Sequence, residues 1–223
     1  MLIWNFFDFS QWSLASLEAA SSQKAESSYS QRQRTFLAGR VALRHLLQNQ
    51  YLSEEVVPNE KFGFLELKNC FGSIAHTDEV SVSVISSFPV GIDIENCKRK
   101  VQHVLPKIAS QGEIEKVDAF QNEFETHVAD KGLFLWTAKE AYSKALGLGL
   151  RNGIQDLKVK LTGQAPYRAE THLETPMKLK APLLSFHLAG TYLVSICFEG
   201  LLGEGIRPPQ PFLLPAHPTE SQE

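Results

Sequence analysis

At 223 residues the chain is long enough for one large domain or two small ones with a full hydrophobic core. Hydrophobic residues make up 43% of it and charged residues 21%, and a formal net charge of -3 excludes a strongly basic nucleic-acid binder at the level of the whole chain. Cys70, Cys97 and Cys197 lie far apart without metal-ligand spacing, so they read as reduced thiols. Met1-Leu2-Ile3-Trp4-Asn5 lacks the basic start and apolar run of a signal peptide, and no apolar run reaches membrane-spanning length. The expectation is a cytoplasmic protein.

Leu2 to Phe7 is an aromatic-rich run closed by Asp8 and reads as a first strand. Ser10 to Ser30 is rich in Ser, Ala and Gln, with a faint helical pattern through Leu14, Leu17 and Ala20. Between Arg32 and Leu47, Phe36, Leu37, Val41, Leu43 or Arg44, and Leu47 recur at helical spacing. Arg40 and Arg44 share one side of that helix. Such a face is ordinarily a solvated basic surface, and the alternative is an anion site. Pro58 breaks the turn-like Ser53 to Asn59, and Phe62-Gly63-Phe64-Leu65 is irregular.

Val80-Ser81-Val82-Ser83-Val84 alternates apolar and small residues, the mark of a strand. Ser86 to Pro89 can turn the chain so that Val90 to Glu95 pairs back as the second arm of a hairpin. His76, at the start of the first arm, then falls near the end of the second. Asn96 to Lys100 is a polar, basic connector and the candidate boundary between halves. Ile108 to Phe120 and Glu123 to Val128 look helical, with Gly112 against the first. Leu133 to Leu146 is the strongest helix of the chain, and Gly147 is placed as its stop. Asp156 to Leu161 alternates as a strand, and Leu183 to Leu188 with Tyr192 to Phe198 read as a hairpin turned at Ala189-Gly190. Beyond Gly200, Gly and Pro dominate, and Arg207 to Glu223 reads as a disordered tail. Each half offers helix material followed by an apolar hairpin. The expected fold is α+β, two similar halves over 1–97 and 98–200 with approximate two-fold symmetry, and a tail over 201–223.

Chemistry concentrates in two stretches. In Gly91-Ile92-Asp93-Ile94-Glu95 the isoleucines alternate with two carboxylates, which puts Asp93 and Glu95 on one strand face roughly 6–7 Å apart. Like charges that close repel, and a hard divalent cation such as Mg²⁺ would relieve them. An exposed strand with solvated acids is the plainer account. In Trp136-Thr137-Ala138-Lys139-Glu140-Ala141-Tyr142-Ser143-Lys144, Trp136, Glu140 and Lys144 are successive fourth residues of one helix. Taken alone, Glu140 and Lys144 make an ordinary surface pair worth a few tenths of a kcal/mol, about 0.2–0.5.

In this order and separation the two stretches resemble those of the phosphopantetheinyl transferases, and the length resembles their long single-chain type, that of the surfactin-synthetase activators. Arg34-Thr35-Phe36-Leu37-Ala38-Gly39-Arg40 looks like the family's N-terminal helix, Ser73-Ile74-Ala75-His76-Thr77 like its Asn-Leu-Ser-His-Ser segment, and Ile108-Ala109-Ser110-Gln111-Gly112-Glu113 like its Phe-Ser-x-x-Glu segment. Similarity covers about Phe7 to Phe198. It implies transfer of the 4'-phosphopantetheine arm from coenzyme A to a serine of an apo acyl or peptidyl carrier protein, with release of 3',5'-ADP. It also implies a monomer with its active site in the cleft between the halves.

The chemistry of the residues agrees with this. Asp93, Glu95 and Glu140 can hold Mg²⁺ on the pyrophosphate, and Lys144 can neutralise charge that develops on the phosphate. Glu140 is the candidate to accept the serine proton. The resemblance carries Arg34, Thr35 and His76 over to coenzyme A phosphate contacts, with Lys139 and Lys144 as further candidates. By its charge alone, the connector Lys98-Arg99-Lys100 is a candidate surface for an acidic carrier helix. Two departures bear on coenzyme A affinity: Phe64 follows Gly63 where the family has a lysine, and Ala75 stands where it has a serine. Two other functions compete. One is a non-catalytic coenzyme A or carrier-protein binding protein on the same fold. The other is a Mg²⁺-dependent nucleotide hydrolase, which shares the acidic pair but lacks a glycine-rich phosphate loop.

Overall fold

The computed structural model describes residues 2–21, 30–49, 64–67, 70–116, 132–147, 154, 155, 157, 159–161, 168–171, 182–188, 191–198, 212 and 213. The strands are β1 (Leu2–Asp8), β2 (Phe64–Leu67), β3 (Cys70–His76), β4 (Val80–Ser86), β5 (Val90–Asn96), β6 (Val159–Leu161), β7 (Arg168–Thr171), β8 (Pro182–Leu188), β9 (Tyr192–Phe198) and β10 (Phe212–Leu213). The helices are α1 (Leu14–Ser21), α2 (Ser30–Asn49), α3 (Leu105–Ile108), α4 (residues 111–116) and α5 (Gly132–Ala145). They form two five-stranded sheets, ordered β10-β1-β4-β3-β2 and β5-β9-β8-β7-β6. All pairings are antiparallel except β1 with β10, which is parallel. The fold is α+β, as expected.

Strand alternation decides which faces meet. Val80, Val82 and Val84 of β4, with Trp4 and Ala75, pack against Val90, Ile92 and Ile94 of β5 and Val194 and Ile196 of β9. That apolar layer joins the two sheets. On the other face of β4 the small residues leave room for α2. There Ser83 donates through N and Oγ to Asn5 Oδ1 (3.1 and 2.6 Å), and Asn5 Nδ2 donates to the Ala42 carbonyl (2.6 Å). Leu37, Ala38, Val41 and Ala42 of α2 bury against Phe7, Phe9, Trp12 and Leu17. On the outer face of the second sheet, Leu133, Phe134, Ala138, Ala141 and Tyr142 of α5 share a core with Leu193, Cys197 and the α3 residues Leu105 and Ile108. The order through the molecule is helix, sheet, sheet, helix. Among the described residues no helix is long and apolar enough to cross a membrane.

The expected hairpin of Val80–Val84 with Val90–Glu95 is not formed. Both edges of β4 are taken, by β1 and by β3, so β5 crosses to the second sheet and pairs with β9, Val90 opposite Phe198 and Asn96 opposite Tyr192. Alternation identifies a strand but does not choose its partner. Phe64 and Leu65, read as irregular, lie in β2, and Phe212 and Leu213, within the stretch expected to be disordered, form β10 beside β1. The hairpin of β8 and β9 is as expected, though its turn at Ala189-Gly190 lies outside the described residues.

The helix expected from Ile108 is split. The chain is extended at Ala109 (φ -139°, ψ 150°), and α4 restarts after Ser110. Glu113 Oε2 accepts from Ser110 N and Oγ, both at 3.0 Å, so its carboxylate reaches back to cap the start of α4, as the Glu of a capping box does. The further helix expected over Glu123–Val128 and the turn at Ser53–Asn59 lie outside the described residues. The stop expected at Gly147 is there: its φ is 63°, the left-handed turn that ends α5.

Candidate active site

The face of β5 opposite the inter-sheet core carries Gly91, Asp93 and Glu95, and α5 lies directly on it. Gly91 makes this possible. A Cβ at that position would stand 1.9 Å from the Ala141 carbonyl oxygen and 2.5 Å from the Ala145 nitrogen, so any side chain would prise helix from strand. The close approach sets the Glu140 and Lys144 end of α5 over the carboxylates. Lys144 Nζ donates to Asp93 Oδ1 at 2.8 Å and to the Ile92 carbonyl at 3.1 Å, and lies 3.8 Å from Glu140 Oε2. Two turns before Lys144, Trp136 Nε1 donates to Glu95 Oε1 at 2.9 Å, and Arg99 forms an ion pair with the same oxygen. The Arg99 guanidinium sits 5.1 Å from the centroid of the Trp136 ring.

These groups line a pocket of about 410 Å³, together with Thr35, Phe36 and Arg40 of α2 and Ile74, Ala75 and His76 of β3. Its electrostatics follow from enclosure. Burial, then the neighbouring carboxylates Glu140 and Glu95, push the Asp93 carboxyl well above its ordinary range, against the pull of Lys144. Glu140 is raised too, by burial first and then by Glu95. The Lys144 ammonium, although buried, is held above its usual value by Asp93 and Glu140. Burial, with Lys144 second, holds His76 below the ordinary imidazole range.

Thr35, His76, Asp93, Glu95, Glu140 and Lys144 are thus brought together as candidate residues. Arg34 and Lys139 are not. Arg34 donates to the Phe9 carbonyl at 3.3 Å, beside the Phe9 ring, and does not line the pocket. Lys139 points away from it and is fully enclosed: Nζ donates to the carbonyls of Ile108 (2.6 Å) and Ile154 (3.3 Å) and pairs with Glu113 Oε1 at 3.0 Å. Adjacent helix residues diverge by about 100°, so Lys139 cannot share the direction of Glu140. Its work is structural, tying α5 to the Glu113 carboxylate at the start of α4. We expect Lys139→Met to cost about 3–5 kcal/mol, because it strands the buried Glu113 carboxylate, and Lys139→Met with Glu113→Gln to recover most of that. Chemical denaturation of the two variants checks this.

Arg40, Arg99 and Trp136 are pocket residues beyond the candidates carried over. Arg40 is buried and lies 5.0 Å from the centroid of the Phe36 ring. The helical spacing of the arginines was its signal in the sequence, and it is Arg40 of that set that reaches the site; Arg44 turns back to the Ala20 carbonyl. Nothing in the sequence joins Arg99 to Trp136.

Among the described residues no group of three His, Cys, Asp or Glu side chains is arranged to hold a metal ion as it stands. The donor set nonetheless fits a hard divalent cation. Asp93 Oδ2 is buried and without a hydrogen-bond partner, and Glu95 and Glu140 lie close enough to perturb it. The chain's own cations, Lys144 and Arg99, meanwhile occupy the neighbouring oxygens.

Comparison with known proteins identifies the family. The model of the 4'-phosphopantetheinyl transferase superfamily matches residues 89–197, from just before β5 to β9. That of the 4'-phosphopantetheinyl transferase N-terminal domain matches residues 20–86. The chain belongs to the 4'-phosphopantetheinyl transferase superfamily. With both segments in one polypeptide it falls with the long, Sfp type. It is 35% identical over 125 residues to 4'-phosphopantetheinyl transferase gsp of Aneurinibacillus migulanus, covering 51% of this chain and 50% of that protein. It is 26% identical over 172 residues to 4'-phosphopantetheinyl transferase psf-1 of Bacillus pumilus, covering 74% and 70%. The match thus spans half the length of the first relative.

Proposed function

We propose that this protein transfers the 4'-phosphopantetheine arm of coenzyme A to a serine of an apo carrier protein, releasing 3',5'-ADP. The observation that carries the reading is the meeting of Asp93, Glu140 and Lys144 in one pocket, by way of the contact between Gly91 and α5. Asp93, Glu95 and Glu140 would hold Mg²⁺, which when bound would supply charge neutralisation on the pyrophosphate. Lys144 meets the charge that grows on the phosphate as the bridging bond breaks. Glu140 receives the serine proton, directly or through a water. Thr35, Arg40 and His76 lie where the coenzyme A phosphates would enter.

We read the chain as a cytoplasmic monomer of two halves, 1–97 and 98–200, in approximate two-fold relation and followed by a tail over 201–223. One long helix per half and a pocket lined from both support the division into halves, with β5 lent to the sheet of the second half.

The test is intact-mass analysis of several apo carriers after incubation with coenzyme A and Mg²⁺. A carrier mass increase of one phosphopantetheine is expected. Coenzyme A binding with no carrier modified would leave only a binding protein on this fold, and coenzyme A breakdown without carrier would indicate a hydrolase.

A further inference from the structure

Each of the two strand carboxylates is already engaged by a cation of the chain itself, Asp93 by Lys144 and Glu95 by Arg99. The second pairing has features that a surface ion pair lacks. Arg99 follows Glu95 by four residues in the connector beyond β5, and its guanidinium lies against the Trp136 ring while Trp136 donates to the same Glu95 oxygen. The three side chains form one closed unit. Within it the carboxylate is enclosed, with a side chain 11% exposed, while Arg99 at 46% stays open to the pocket and solvent. A guanidinium lying on Glu95 both consumes that ligand and sets a positive charge beside the place a divalent cation would take. It is also a planar donor suited to a phosphate oxygen, and it faces the pocket from which a pyrophosphate would approach.

We propose that Arg99 is a positioning residue that competes with the divalent cation for Glu95 and yields it when an anionic ligand enters, so that cation and coenzyme A bind cooperatively. The inference rests on the proposed function for the identity of the anion. Without the anion, the Arg99–Trp136 unit holds Glu95 away from the cation. With it, the guanidinium turns to a phosphate oxygen and Glu95 is released. Linkage makes the effect reciprocal: whatever factor coenzyme A adds to cation affinity, the cation adds to coenzyme A affinity.

The experiment uses the full chain and Mn²⁺ as the probe, with binding followed by the electron paramagnetic resonance signal of the free ion and no carrier present. Arg99→Gln is expected to bind Mn²⁺ alone about tenfold more tightly than the unaltered protein, since a charge is removed from beside the ion. Coenzyme A should tighten Mn²⁺ binding to the unaltered protein about tenfold more than it tightens binding to Arg99→Gln, in which only direct ligation of the ion by the pyrophosphate is left to couple the two. Arg99→Lys keeps the charge but not the flat face on Trp136, and should fall between. Melting temperatures of the metal-free proteins establish that each variant is folded.

Equal Mn²⁺ affinities for the unaltered protein and Arg99→Gln, or weaker binding by Arg99→Gln, would overturn the inference. So would an absence of Mn²⁺ binding to either, even where carriers gain mass and the transfer reading stands. Should the affinities divide as expected while no carrier gains mass, Arg99 keeps its role and the transfer reading falls.

Discussion

Gly91→Ala is expected to reduce transfer by at least about 10²-fold, although the substituted residue carries no functional group. The added methyl would lie 1.9 Å from the Ala141 carbonyl oxygen and 2.5 Å from the Ala145 nitrogen. Both are backbone atoms of α5, so no side chain can move aside. The helix must shift away from β5, and Glu140 and Lys144 go with it, away from Asp93. A misplacement of about 1 Å is enough for a loss of that size. Overpacking should also lower stability by about 1–3 kcal/mol. Gly112→Ala is the control: a Cβ there meets nothing within 4 Å, so activity and stability should hold. Steady-state transfer and thermal unfolding on the same preparations decide it. Normal turnover by Gly91→Ala would mean that the spacing of α5 and β5 does not govern the site.

Lys144→Ala is expected to lower kcat by about 10²–10³-fold, with a smaller rise in KM for coenzyme A, since the ammonium acts on charge that grows in the transition state. A surface pair with Glu140 would predict unchanged kinetics and a stability loss below about 0.5 kcal/mol. The geometry is against that account. The Lys144 side chain is 15% exposed, and it is Asp93, at 2.8 Å, rather than Glu140, at 3.8 Å, that it touches. Removing it strands a buried carboxylate, for which about 3–5 kcal/mol is the upper bound, because Asp93 can take a proton instead.

The sign of the pH dependence follows. The folded-state pKa of Asp93 already lies above its unfolded value, and loss of Lys144 removes the influence that lowers it most. Between the two values the native state binds more protons than the unfolded state, so stability rises as pH falls. The melting temperature of metal-free Lys144→Ala should therefore recover relative to the unaltered protein as pH is lowered from neutrality. A parallel pair of melting profiles would show that Asp93 does not depend on Lys144. Lys144→Arg keeps the charge and should restore stability more fully than rate.

Much of this site could be read in the order of residues. The alternation of Gly91-Ile92-Asp93-Ile94-Glu95 sends Ile92 and Ile94 to the core between the sheets and leaves Asp93 and Glu95 together on the other side. The fourfold spacing of Trp136, Glu140 and Lys144 puts all three on the pocket side of α5. Both follow from local periods, 2 for a strand and 3.6 for a helix, which a sequence carries directly. The stop at Gly147 is likewise local, since one residue's freedom to take φ 63° is enough to end the helix.

Tertiary structure decided what depends on partners distant in the chain. The pairing of β5 with β9 rather than β4 turned on which strand edges remained open, a property of the assembled sheets. Lys139 and Glu140 are neighbours in sequence, yet one is sealed against Glu113 and the other faces the pocket, because packing on α3 and β5 sets the rotation of α5. The union of Arg99, Trp136 and Glu95 required a connector, a helix and a strand to meet. By itself the sequence determined the strongly periodic elements, such as β5 and α5, and the chemical character of their faces, since these repeat over a few residues. Which faces meet, and so which charges share one pocket, was left to the tertiary structure, because burial and charge pairing are settled only when all the surfaces compete for contact at once.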